Sequence, residues 1–327
     1  MRLLKGGVAH VAAMIEEDLE ERESGLSKPQ RVGLADIAAS ILSCLSVNTS
    51  EIASVLPREV KSEESRQRYV FRWLNNPKIN PHKVMGGMVP ELMEFATLQG
   101  QVATLMLDQS KIAEGFECLM VSLRTGERAL PVVWKIKKTK GPIGFEEQAE
   151  LLRTVRKMVP SGVKVMLAAD RFYGTAALIG LCQELGFAYR VRLKGNLTLS
   201  HEGAEITTGE AANLRLTCLE QAVLGNSTTC TNIGTIQEPG HPEPWIIAMD
   251  TKPSAYKVLD YGLRWGIEAM FSDFKTRGFN VTDTQIKTEA DIERLILVLT
   301  IAMFWALSSG LRPKPHKQPS KKKPSGV

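Results

Sequence analysis

The sequence predicts an α/β fold: a mixed sheet flanked by helices, with an all-α N-terminal region before it and a β-rich insertion within it. Three observations carry this. Apolar residues recur at helical spacing up to about residue 98. From residue 101 the period shortens to that of strands, and strands then alternate with amphipathic helices, as in a sheet with helical connections. Between Lys194 and Asp250, Thr, Ser, Asn and Gly punctuate short apolar runs, the pattern of a β-rich segment.

Taken in order, Val8–Glu21, Leu34–Leu45, Thr49–Leu56, Ser62–Leu74 and Pro81–Ala96 read as helices broken at Gly25, Asn48, Pro57 and Pro77. They form an expected helical domain over 1–98. Arg66, Arg68 and Arg72 there make a basic helix ending in Trp73, suited either to DNA phosphates or to plain solvation around a partly buried aromatic edge. A catalytic-type α/β domain is expected over 99–310. Val102–Leu107 is a strand leading into Asp108, and Glu117–Leu123 and Ala129–Ile136 are strands joined by the turn Arg124-Thr125-Gly126-Glu127. Glu146–Met158 is a helix, Val163–Ala169 a strand leading into Asp170, Thr175–Leu185 a helix stopped by Gly186, and Phe187–Leu193 a strand. Within the insertion, about 195–250, Leu214–Leu219, Thr228–Ile236 and Trp245–Met249 are the strand candidates. Two helices follow, Ser254–Thr276 and Glu289–Leu307, the second capped by Gly310. Residues 311–327 read as a basic, disordered tail. Arg312 to Lys323 holds six Lys/Arg, no acid and repeated prolines, so it is either a nucleic-acid arm or a solubilising end.

With 327 residues, 43% of them hydrophobic, the chain has the means to bury a large core. A net charge of +5 permits a nucleic-acid partner without requiring one. The five cysteines are scattered, with no Cys-x-x-Cys pair, which argues against zinc and a disulfide framework. No secretory signal pattern opens the chain, so a reduced cytoplasmic setting is expected. Leu295–Leu307 is almost wholly apolar but short of the roughly 20 residues that span a bilayer, which favours a buried core helix over a membrane segment.

The chemistry concentrates in a few positions. Tyr261, Arg264, Glu268 and Lys275 are spaced by 3, 4 and 7 residues. On a continuous helix, at roughly 100° per residue, they would share an arc of about 60°. Asp108 and Asp170 each follow a strand. Carboxylates converging from separate elements suit hard divalent ions with open positions for water and phosphate. Arg264 and Lys275 would then neutralise phosphates, and Tyr261 would offer a hydroxyl. The same spacing also fits a salt-bridged surface helix, since Arg264 and Glu268 form an i, i+4 pair.

These residues resemble a known family. Tyr261-x₂-Arg264-x₃-Glu268-x₆-Lys275 is similar to the Tyr-Arg-Glu-Lys signature of the DDE transposases of bacterial insertion sequence family 4. Leu107-Asp108-Gln109-Ser110 resembles that family's first Asp motif, and Ala169-Asp170-Arg171-Phe172-Tyr173-Gly174 its second. The resemblance implies a ribonuclease H-like fold shared with retroviral integrases. It implies Asp108, Asp170 and Glu268 as catalytic ligands of two Mg²⁺ or Mn²⁺ ions. It also implies Arg192, on the basic strand Tyr189–Gly195, as a DNA contact near the cut end, and Arg72 within an end-recognition region. Trp245, in the insertion, is implied as a stacking surface for a flipped base, though its place in the sequence also fits a core or edge aromatic of the insertion sheet. Cut-and-paste transposition of double-stranded DNA with terminal inverted repeats follows as the expected activity, carried out by a homodimer in a cytoplasmic, nucleoid-associated setting without a membrane. A catalytically silent DNA-binding relic or repressor is the alternative.

Overall fold

The structure is a computed structural model that describes residues 5–59, 62–237, 243–275 and 278–311. The basic stretch from Arg312 to Lys323 lies outside the described residues.

Six helices come first: α1 Lys5–Glu21, α2 Lys28–Cys44, α3 Thr49–Val55, α4 Glu63–Leu74, α5 Pro81–Gly86 and α6 Val89–Ala96. Local chemistry starts them. The side chains of Asn48, Ser62 and Asn80 accept the backbone N–H groups of Ser50, Ser65 and Lys83 at 2.9, 3.2 and 3.1 Å, capping α3, α4 and α5. The single helix expected over Pro81–Ala96 is two. Gly86 and Gly87 weaken the helix there, and Pro90 has no N–H to give the Gly86 carbonyl, so its fixed φ serves the first turn of α6 instead.

A three-stranded meander follows, β1 Ala103–Ala113, β2 Phe116–Thr125 and β3 Arg128–Lys138, then α7 Phe145–Met158, β4 Val165–Ala169, α8 Ala176–Leu185 and β5 Ala188–Arg192. β1 pairs with β2 antiparallel and with β4 parallel, and β4 pairs with β5 parallel, each parallel step crossing over through a helix. Gly186, at φ +67°, ends α8 in the left-handed conformation that favours glycine. The remaining strands are β6 Thr198–His201, β7 Ala204–Thr207, β8 Leu216–Leu224, β9 Cys230–Ile236 and β10 Trp245–Met249, with a one-turn helix α9 Thr208–Ala211 among them. They do not make a separate sheet. β10 pairs antiparallel with β5, giving one ten-stranded sheet in the order β3-β2-β1-β4-β5-β10-β9-β8-β6-β7. This mixed α/β sheet flanked by helices is the predicted fold class and is consistent with a ribonuclease H-like core.

The helix expected over Ser254–Thr276 is broken into α10 Ala255–Leu259, a 3₁₀ turn Asp260–Trp265 and α11 Gly266–Phe274, and Thr276 lies outside the described residues. Gly262 and Gly266 lower helix propensity here. Gly266 is also pressed against the β2–β3 turn, where a Cβ would stand 2.9 Å from the Arg128 carbonyl oxygen. The last helix, α12 Glu289–Leu311, runs through Gly310 rather than being capped by it.

α12 packs against β3 on one side and α2 on the other, and its residues Leu295 to Leu299 are fully buried. Its polar residues reach the neighbouring elements. Glu293 accepts the Ile136 N–H at 3.1 Å, and Arg294 donates to the carbonyls of Leu74 and Ile79 at 2.8 and 3.3 Å. The apolar run 295–307 therefore belongs to the core. Among the described residues no single helix is long and apolar enough to cross a membrane. α2 with α3, bent by 100°, passes on length and composition, but α2 buries its apolar residues against α1 and α12.

Candidate active site

Sheet register sets two of the acids side by side. Leu107 pairs with Ala169 in the parallel ladder, so the next residues, Asp108 and Asp170, are neighbours at the point where β4 stops. Asp170 ends its strand as expected. Asp108 does not, because β1 continues to Ala113 through its pairing with β2. Asp170 turns the chain: its Oδ1 accepts the Phe172 N–H at 2.9 Å, and Gly174 passes so close to β5 that a Cβ would meet the Arg192 carbonyl at 2.3 Å. The two aspartates line an open cleft of about 360 Å³ together with Glu117, Lys140 and Phe172. Gln109 ties the cleft wall to β1, accepting the Ile143 N–H at 2.8 Å and donating to the Gly141 carbonyl and Glu117 at 3.2 Å each.

Burial pushes the Asp108 carboxyl up to about 6, and the nearby Asp170 and Glu268 charges add to the rise against the lowering effect of the Gln109 N–H and Arg264. Tyr173, buried beside both aspartates, has its phenol raised by burial and their charge, and its hydroxyl has no hydrogen-bond partner among the described residues.

The third acid comes from α11, which packs on β1, β2 and β3. Arg264, 8% exposed, donates from Nη1 to Asp108 Oδ2 at 3.2 Å, from Nη2 to Glu268 Oε1, and from Nε to the Tyr261 hydroxyl at 3.2 Å. Lys275 donates to Ser110 Oγ at 2.5 Å. Asp108 and Ser110 lie on one face of β1, so both cations of the predicted constellation dock on that face although the helix carrying them is broken. Tyr261, Arg264 and Glu268 thus meet directly and Lys275 docks two residues along the same strand face, with Tyr261 and Arg264 buried and the Glu268 side chain 56% accessible. Tyr261 is 3% exposed and its hydroxyl is used by Arg264, which differs from the expected offer of that hydroxyl to solvent-borne phosphate.

Trp245 is 5% exposed, packed edge to face against Tyr261 and Trp265 at 5.2 and 5.7 Å. In this arrangement it presents no open face for a base and sits as the core aromatic of the insertion sheet that its place in the sequence also fits; all five residues of β10 are buried. The solvent-facing aromatic of the group is Trp265, 49% exposed, which the sequence reading passed over because it stands between Arg264 and Glu268. Arg192, at the end of β5, pairs with Glu243 at 3.5 Å, and Arg171 pairs with the same carboxylate at 2.5 Å. Arg72 is exposed on α4, while Trp73 beside it is buried and donates to the Gln30 carbonyl at 2.9 Å.

Asp108 and Asp170 present an all-oxygen donor pair whose mutual repulsion a hard cation would relieve, so they fit a divalent ion of the Mg²⁺ class. Glu268 does not complete a three-ligand group in this arrangement, since Arg264 stands between it and Asp108. Among the described residues no three His, Cys, Asp or Glu side chains are grouped to hold one ion. Glu117, Lys140, Gln109 and Tyr173 were not anticipated as part of the cleft; Glu117 and Lys140 belong to elements whose approach to Asp108 depends on strand register and loop path.

Residues 144–305, just under half of the chain, match the family model described as a transposase DDE domain. The matched segment contains Asp170 and Glu268 but begins after Asp108. The fold is similar to that of a piggyBac transposase in a synaptic complex with hairpin DNA seen by electron cryomicroscopy, with a TM-score of 0.50 and 10% identity, covering 94% of this chain and 74% of that one. No curated protein matches the chain. The family match supports a DDE transposase, and the structural likeness supports its fold.

Proposed function

We propose that this chain, with its match to a transposase DDE domain, is a cut-and-paste transposase of insertion sequence family 4. It would bind terminal inverted repeats of double-stranded DNA, cleave there to free a 3′-hydroxyl, and join that end to target DNA, two copies acting on two ends. The observation that carries the reading is the β1–β4 register that puts Asp108 beside Asp170, with Arg264 linking Asp108 to Glu268.

In this reading Asp108, Asp170 and Glu268 hold the divalent ions. Such ions, when bound, supply Lewis acids for the attacking and leaving oxygens of an in-line displacement at phosphorus. The chain's own residues position the DNA. Lys140 on the cleft wall offers a cation to a phosphate beside the scissile bond, and Arg192 and Lys275 extend that positive path away from the acids. Gln109 holds the loop bearing Lys140 at its distance from Asp108. Arg72 supplies a phosphate contact on the N-terminal helices, and Tyr261 acts through Arg264 rather than on DNA directly.

The test is Glu268→Ala assayed for DNA-end binding and for Mg²⁺-dependent strand transfer. Binding is expected to persist and transfer to vanish; transfer retained by this variant would sink the assignment. A second reading, a catalytically silent DNA-binding relic, draws on the Arg264 ion pairs that engage two of the three acids. DNA binding by the unaltered protein with no metal-dependent cleavage would favour it.

A further inference from the structure

We propose that Arg264 is a displaceable internal counter-ion, and that a DNA phosphate and divalent cations load the acidic site together by drawing it away. This rests on the reading of Asp108, Asp170 and Glu268 as metal ligands. Both carboxylate oxygens of Asp108 are engaged, Oδ1 by the Gln109 N–H at 2.8 Å and Oδ2 by Arg264. The guanidinium also takes Glu268, so one buried positive charge serves two of the three acids. A guanidinium and a divalent ion on the same carboxylates would repel one another at contact distance in a site partly shielded from water. The ion therefore gains Asp108 and Glu268 fully only when Arg264 leaves them.

Arg264 has one outlet of suitable chemistry. Its planar fork matches a phosphodiester as well as it matches a carboxylate. Glu268, the more exposed partner, is where the fork opens towards solvent: its side chain is 56% accessible, against 20% for Asp108. A backbone phosphate arriving there offers the guanidinium a replacement anion and uncovers the acids at the same moment. DNA binding and metal binding then strengthen each other, with the reciprocity that linkage requires. The Tyr261 hydroxyl, holding Nε at 3.2 Å, keeps the closed arrangement in place without being a ligand itself.

The experiment measures Mn²⁺ binding by electron paramagnetic resonance to the full chain, with and without a short random-sequence DNA duplex at low salt. The unaltered protein is expected to bind Mn²⁺ roughly tenfold more tightly with DNA than without. Arg264→Gln is expected to bind Mn²⁺ without DNA about as tightly as the unaltered protein does with it, and to lose the DNA dependence. Tyr261→Phe, which touches no acid, is expected to show a smaller gain in the same direction and stands in if Arg264→Gln does not fold. Equal Mn²⁺ affinity with and without DNA, in the unaltered protein and in these variants, would overturn the counter-ion role while leaving the metal-ligand reading intact. No Mn²⁺ bound by any of them under either condition would overturn both.

Discussion

The ammonium of Lys275 stands 2.5 Å from the hydroxyl of Ser110, two residues past Asp108 on the same face of β1. The end of α11 is thereby fastened to the strand that carries the first acid, and burial lowers the Lys275 pKa from its usual value. Ser110→Ala leaves that partly buried cation without its hydroxyl acceptor. A loss of about 1 kcal/mol in unfolding free energy, read by urea denaturation, is expected.

Asp108→Asn and Asp170→Asn each keep the side-chain shape while removing a charge from the cleft. Each is expected to lower metal-dependent strand transfer by about a thousandfold, the equivalent of several kcal/mol of transition-state stabilisation. Circular dichroism of both variants should remain that of the unaltered protein.

The two neighbouring tryptophans should separate cleanly. Trp245→Ala empties a buried site and is expected to cost about 3–5 kcal/mol of stability. Trp265→Ala removes a half-exposed ring and should leave stability within about 1 kcal/mol, while weakening binding to DNA with unpaired ends by roughly 1–3 kcal/mol if its open face stacks on a base. Thermal denaturation and fluorescence anisotropy distinguish the two.

Asp36, buried on α2 with Arg58 Nε 3.4 Å from its Oδ2, has its pKa pushed up to about 6 by burial. Between pH 3.8 and about 6 the unfolded chain loses this proton while the folded protein keeps it. The folded state then binds more protons, so the contribution of this group to stability falls as pH rises through that window and is level above it. Asp36→Asn is expected to flatten that slope and to raise stability at neutral pH by about 2 kcal/mol. Denaturant titrations at several pH values would reveal an unchanged slope if the burial of Asp36 had no such effect.

Arg72→Ala alters a solvent-facing cation on α4 and should leave the fold intact. DNA affinity is expected to fall uniformly across sequences, with the slope of log affinity against log salt reduced by about 1. A variant with unchanged salt dependence would remove Arg72 from the DNA contact surface.

Much of this arrangement is legible in the sequence where the signal is local. The strands after residue 101, the turn at Gly126 and the helix stop at Gly186 all follow from period and glycine placement, and the Arg264–Glu268 pair from i, i+4 spacing. What was missed depends on distant partners. The far half of β1, Gln109 to Ala113, lies past the apolar run that marks the strand, and it is strand through its pairing with β2. The Arg264 contact with Asp108 spans 156 positions, so nothing in the spacing of the helix face reveals that its cation is already engaged. The break at Asp260–Trp265 was hidden because four residues at helical intervals also fit a bent segment that docks on one strand. Trp245 was ambiguous for a similar reason: an aromatic in an apolar strand reads the same whether helices cover it or solvent does.

The anchoring of Arg294 to the carbonyls of Leu74 and Ile79 has a consequence for how the chain comes off the ribosome. These bonds join residues 220 and 215 positions apart, and α12 also supplies the wall against which α2 packs. The early helices emerge with apolar faces that their final neighbour cannot cover until almost the whole described chain has been made. Their packing is therefore completed late, and a nascent chain stalled short of α12 presents those faces to chaperones or to other chains.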